Sequence, residues 1–264
     1  MAMQRKSLTF TQAWTFTAGS KLHSSIGSNI VIQKHQILVC KIGIWIAALS
    51  PGSWLVAGLF LGWLGPNPVE TLTHITGMTT LVLLLVTLSI TPLRRITGWN
   101  GAIRLRRPLG LFAFFYALVH FNIWFVFDQV FNWRWMVEDI MERPYITVGF
   151  SAFVILIPLA LTSTKGWMRR LGVRWTKLHR GIYFAATLGV VHFYWLAQSK
   201  ADVRLPLLLG LCLSLLLLYR VPGWLERRQR MIARSRGEQY PLKPSHPTSV
   251  QWLSEYRTTL IPRA

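Results

Sequence analysis

The chain has 264 residues, of which 52% are apolar and only 14% charged, with 13 tryptophans and a formal net charge of +20. That balance excludes an ordinary soluble domain and fits a polytopic membrane protein. The positive charge does not indicate nucleic acid, because the basic residues fall in short segments between apolar runs instead of forming one face of a soluble fold.

Residues 1–35 are rich in Ser and Thr, lack a continuous apolar core and do not follow the pattern of a cleaved signal peptide. They are expected to be a polar, flexible extension. Six spans follow at about residues 37–63, 71–91, 109–127, 146–163, 179–197 and 205–221, each near the length that roughly 30 Å of hydrocarbon requires. The polar stretch Gln198, Ser199, Lys200, Ala201, Asp202, followed by Pro206, separates the fifth span from the sixth. Gly58 and Gly62 form a small-x-x-x-small spacing, which predicts close helix packing. The expected fold class is an all-α membrane protein, a six-helix transmembrane bundle over residues 36–225 with a basic tail over 226–264.

Charge sets the orientation. The second-to-third connection carries Arg94, Arg95, Arg104, Arg106 and Arg107, and the fourth-to-fifth carries Lys165, Arg169, Arg170, Arg174 and Lys177. Both are expected on the cytoplasmic side. The alternate connections differ: residues 64–70 hold Glu70 and no Lys or Arg, while 128–145 hold Asp128, Glu138, Asp139 and Glu142 against Arg134 and Arg143. With basic residues near both ends of the chain, both termini are expected in the cytoplasm.

Histidines lie at depth. His120 and His192 each fall about twelve residues past the inner end of a span running outward, so at 1.5 Å per residue both are roughly 18 Å deep. Ionisable groups inside a membrane are costly and mark functional paths, and two histidines at one height on parallel helices suit the clamping of one haem. His179 lies thirteen residues before His192, roughly 20 Å nearer the cytoplasm and turned roughly 140° away on an ideal helix. It has Arg106 and Arg107, and no histidine, at its depth on the third span. His74, near the outer end of the second span, is a further candidate whose plainer reading is an interhelical hydrogen bond. His23, His35 and His246 lie in polar segments and are expected to be solvated. Cys40 and Cys212 sit in apolar runs and form no C-x-x-C-H, so any haem is b-type, held by ligation and packing.

Aromatic residues surround the outer pair: Tyr116, Phe121, Trp124 and Phe125 on the third span and Phe193, Tyr194 and Trp195 on the fifth. They read both as walls of a haem pocket and as an interfacial belt, with Phe121 and Phe193 too far inward for the belt. Arg104, Arg106 and Arg107 satisfy the positive-inside rule, and their fork geometry also suits haem propionates or a flavin phosphate.

The segments ITPLRR (90–95), RRPLGLFAFFYALVH (106–120), RPYITVG (143–149), TSTKGWMRRLGVRWTKLH (162–179) and VHFYW (191–195) resemble the MsrQ (YedZ) family. That family is the haem-binding membrane subunit of the bacterial protein-methionine-sulfoxide reductase, within the wider ferric-reductase-like transmembrane group. The resemblance covers about residues 37–225. It implies a bacterial inner-membrane protein with haem b bound through His120, His179 and His192, an associated FMN, and electron delivery to a periplasmic molybdopterin subunit, MsrP. Other members of the wider group carry a large cytoplasmic flavin and nicotinamide domain. Here the tail is too short for one and no G-x-G-x-x-G stands between a strand and a helix. Electrons are therefore expected from the quinone pool or a separate cytoplasmic flavin reductase. The alternatives are a self-contained transmembrane metal or quinone reductase, and a transporter, which the lack of intramembrane Asp and Glu disfavours.

Overall fold

The computed structural model describes residues 10–198 and 202–236, with side chains from His35 onward except Arg227 and Arg234. Residues 1–9, 199–201 and 237–264, which include parts of the expected extension, of the fifth-to-sixth turn and of the tail, lie outside the described residues. Every element among the described residues is helical. They are α1 (Phe10–Leu61), α2 (Pro68–Thr97), α3 (Arg106–Ile123), α4 (Trp133–Glu142), α5 (Pro144–Leu161), α6 (Lys165–Leu171), α7 (Val173–Leu178), α8 (Gly181–Gln198), α9 (Arg204–Leu218) and α10 (Val221–Ser235). A 3₁₀ segment, Asn100–Leu105, leads into α3, and a π-turn, Trp124–Asp128, follows it.

Local chemistry places these boundaries. Asn67 caps α2 by accepting from the Glu70 N–H, Pro68 occupies the first turn where no N–H is needed, and Gly98 closes the helix at φ 70°. The Asn132 side chain accepts from the Arg134 and Trp135 N–H groups to start α4, and Pro144 opens α5 directly after Arg143. Gly172, at φ 49°, breaks α6 from α7.

Inside α1, Pro51 has no N–H to offer the Ala47 carbonyl, and the Ser50 hydroxyl donates to that carbonyl instead at 3.0 Å. The next carbonyl and N–H pair of the ladder is bridged from α3: the Tyr116 hydroxyl donates to the Ala48 carbonyl at 2.6 Å and accepts from the Gly52 N–H at 2.9 Å. The expected Gly58–Gly62 helix contact is not formed. A Cβ at Gly58 would strike Trp63 and Leu64 of the same turn, while Gly62 adopts φ +74° just past the helix end with nothing near it.

Five runs are long and apolar enough to cross a membrane: His35–Leu61, Pro68–Thr97, Asn100–Asp128, Pro144–Leu161 and Arg204–Ala233. The 18-residue α8 has the length, but its sequence includes His192, Tyr194 and Gln198. One face of it packs into the bundle. Ala185 and Ala186 are fully buried, Ala186 beside Leu81, Leu85 and Leu88 of α2 and Leu209 and Leu213 of α9. Ala185 joins Leu84 of α2, Ala113 and Ala117 of α3, and Leu156 and Leu159 of α5. Small residues at helix contacts are what close packing in lipid requires, since apolar burial alone gives little driving force there. The unit ending at Leu217 holds this bundle; the unit from Leu218 holds α10, with Arg228 and Arg230 on a described helix of the basic tail.

Candidate functional site

Four helices, α2, α3, α5 and α8, enclose a cavity of about 1000 Å³, one end of which is rimmed by α4 and the π-turn. Its wall is apolar and aromatic in the middle: Leu81, Leu84, Phe121, Phe150, Phe153 and Phe193. Phe121 stacks on Phe153 with centroids 4.8 Å apart. Of the seven aromatics around the outer pair, Phe121, Trp124 and Phe193 line the cavity. Tyr116 is instead spent on α1, and Phe125 packs on Phe131 and Trp133.

His120 and His192 face each other across this cavity with ring centroids 6.2 Å apart and planes at 82°. Each ring is oriented by a backbone carbonyl on the neighbouring helix. His120 Nδ1 lies 2.9 Å from the Thr73 carbonyl, with the Thr76 hydroxyl at 3.4 Å, and His192 Nδ1 lies 2.7 Å from the Tyr145 carbonyl. A carbonyl can only accept, so Nδ1 carries the proton in both rings and the Nε2 lone pair is free. Both bonds span 47 residues of sequence. In both helix pairs a glycine, Gly77 or Gly149, lies four positions after the acceptor and presses against the ring. The pairs α2–α3 and α5–α8 thus repeat one arrangement of acceptor, glycine and histidine.

The other candidates are placed differently. His74 borders the cavity, with its ring 6.1 Å from Phe193. His179 is not on α8. It caps α7, stacks on Trp175 at 3.9 Å, and directs Nδ1 to the Trp175 carbonyl at 3.1 Å. Its Nε2 is buried without a hydrogen-bond partner, near the Leu159 carbonyl and within the field of Arg106. Arg106 is half-buried and Arg107 exposed at the start of α3; neither lines the cavity.

At this rim, Glu70, Asp128, Glu138, Asp139 and Glu142 line the opening together with Arg143. Gln129 is buried and donates to the Asp139 carboxylate at 2.7 Å, and Arg143 pairs with Asp139 at 3.1 Å. Hydrogen bonding to Tyr145, and then the Asp139 charge, push the Arg143 guanidinium further toward its protonated form. The two residues before the Asn132 cap, Val130 and Phe131, hold positive φ values of 47° and 60°. Sequence patterning missed α4, because ten residues with apolar groups on one side and acids on the other resemble a polar loop.

Over 187 residues the chain is 50% identical to the protein-methionine-sulfoxide reductase heme-binding subunit MsrQ of Herminiimonas arsenicoxydans, covering 70% of this chain and 86% of that one. The chain belongs to the MsrQ family. The protein of the same name from Bordetella pertussis is 50% identical over 186 residues, 70% of this chain and 90% of that one. The one from Xanthomonas axonopodis pv. citri is 45% identical over 206 residues, 76% and 94% of the respective chains. Residues 75–190 match the family described as ferric reductase like transmembrane component. That stretch takes in His120 and His179 and ends two residues short of His192. No solved structure matches. With its apolar helices and this family, the chain is a multi-pass membrane protein.

Proposed function

We propose that the chain is a membrane b-type cytochrome, in which His120 and His192 hold a haem and pass electrons outward to a periplasmic partner. The opposed rings carry this reading. Metal–imidazole bonds are about 2 Å long, so one metal atom between two ring nitrogens needs centroids about 6 Å apart. The rings stand at 6.2 Å. Among the described residues no group of three or more His, Cys, Asp or Glu is placed to hold a bare metal ion, so two imidazoles form a ligand set that a macrocycle completes. A cavity of about 1000 Å³ with stacked phenylalanines suits a flat, apolar ring system.

When bound, haem supplies one-electron exchange; the chain supplies the rest. The Thr73 and Tyr145 carbonyls hold each histidine in its ligating tautomer and raise its basicity. The phenylalanine wall lowers the local dielectric and keeps water away. We assign α8 as a further span, the fifth in chain order, which brings the count to six and with the charge of the connections puts both termini in the cytoplasm and the acidic rim outside. The inner-membrane location follows the same reading. The relatives' names refer to a methionine sulfoxide reductase, so the partner is a reductase subunit, MsrP, and the donor is the quinone pool or a cytoplasmic flavin reductase.

The test is a reduced-minus-oxidised spectrum of the purified protein with haem and flavin quantified. His120→Ala and His192→Ala should each remove most of the low-spin signal while insertion is kept; full haem content with an unchanged spectrum in both would end the assignment. A second reading, a self-contained metal reductase, is favoured by the five carboxylates at the rim, which would attract a cationic acceptor. Rapid reoxidation by a ferric chelate in the absence of any partner, with none by sulfoxide, would select it.

A further inference from the structure

We propose that Gly77 and Gly149 are positioning residues that hold the planes of the His120 and His192 rings nearly at right angles, and thereby set the electronic state of the haem iron between them. The inference rests on the haem reading above. A Cβ at Gly77 would lie 2.9 Å from Cε1 and 3.1 Å from Nδ1 of His120. At Gly149 it would lie 2.7 Å from Nδ1 and 2.9 Å from Cε1 of His192. Real Cβ atoms do not approach so closely, so each ring rests on bare backbone that only glycine provides. The seat and the carbonyl that binds Nδ1 lie one turn apart on the same helix, which fixes two points of each ring and leaves it no free rotation about its own axis.

Both rings are held this way, on separate helix pairs, so their 82° angle is imposed by the protein. An imidazole donates π density perpendicular to its own plane. Parallel rings raise one iron d orbital of π symmetry above its partner, whereas perpendicular rings donate to one each and keep the two close in energy. Ferric iron between perpendicular rings therefore has a strongly anisotropic magnetic signature. Rings anchored from the protein side also need not turn when the iron changes oxidation state, which suits a relay.

The experiment is electron paramagnetic resonance of the oxidised holoprotein, recorded for the wild type and for His179→Ala so that any signal from the inner end is separated. The expected result is a low-spin species dominated by one large g value. A low-spin signal resolved into three moderate g values would overturn the inference while leaving the ligand pair intact. Loss of any six-coordinate low-spin spectrum in the wild type would instead overturn the haem reading, and the inference with it. Gly77→Ala and Gly149→Ala should each shift the large g value while the optical spectrum stays six-coordinate. Gly110→Ala, whose Cβ would meet only a Thr87 methyl group at 4.0 Å, should not. If both seat variants reproduce the wild-type signal, the glycines do not set the planes. Should one of them fail to accumulate, the wild-type signal and the other variant decide.

Discussion

Tyr116→Phe removes one oxygen atom and tests how α3, which carries His120, is tied to the rest of the bundle. The hydroxyl donates to the Ala48 carbonyl at 2.6 Å and accepts from the Gly52 N–H at 2.9 Å, with Tyr116 and Ala48 each 2% exposed. Interhelical bonds in membranes average about 0.6 kcal/mol and reach about 1.7 kcal/mol, so losing two should cost about 1–3 kcal/mol. The upper end applies if both backbone groups stay buried and unpaired, the lower if α1 pairs them with each other across the Pro51 break. Gly52 allows the close approach, since a Cβ there would meet the hydroxyl at 3.0 Å. The assay is thermal unfolding in detergent, with the optical spectrum recorded alongside. His120 takes its orientation from α2, so the spectrum should hold while the melting point falls. A loss below about 0.5 kcal/mol would refute the bridging-hydroxyl account, and a lost low-spin spectrum would mean that α1 positions His120.

Two further predictions follow from the site and the topology. His192→Gly should leave His120 as sole axial ligand and weaken haem retention by at least roughly 100-fold, as outer-shell changes alone cost 10–100-fold; millimolar imidazole should restore the six-coordinate spectrum, and no response would count against His192 as a ligand. Reporter fusions after residues 98, 172 and 235 should read as cytoplasmic and those near 67, 136 and 200 as periplasmic, and one reversed loop would break the six-span assignment.

The pairing of His120 with His192 was legible in the sequence because rise per residue is fixed: two histidines at equal distance from basic connections at the same ends of their helices must share a height. The glycine seats were not legible, since Gly77 and Gly149 carry no charge or periodic signal and matter only through rings on another helix. The repeat could have exposed them, because acceptor, glycine and histidine recur at the same separations in both helix pairs. Hydropathy picks out five helical runs, the well-buried α2 among them, and falters at α8, whose composition includes a histidine and other polar groups. The expectation for His179 assumed one continuous helix from 179, but α7 ends at Leu178 and α8 begins at Gly181, so the ideal rotation of roughly 140° does not apply.

That break makes His179 the sharpest test of how electrons enter. Arg107 lies thirteen positions before His120 as His179 does before His192, so the repeat that matches the outer histidines pairs the inner one with an arginine. His179 nonetheless keeps a buried Nε2 with no hydrogen-bond partner, and Trp175, whose indole donates to the Thr162 carbonyl at 3.0 Å, stacks against its ring. A buried polar atom held this way costs stability unless something occupies it. His179→Ala should therefore leave the low-spin signal of the outer pair in place, lower the haem-to-protein ratio, and slow reduction by quinol or a flavin reductase from the inner side. Haem stoichiometry and stopped-flow reduction measure the two effects separately. If the variant instead loses the outer signal, His179 serves the same haem as the His120 and His192 pair, and the separation of an entry end from an exit end fails.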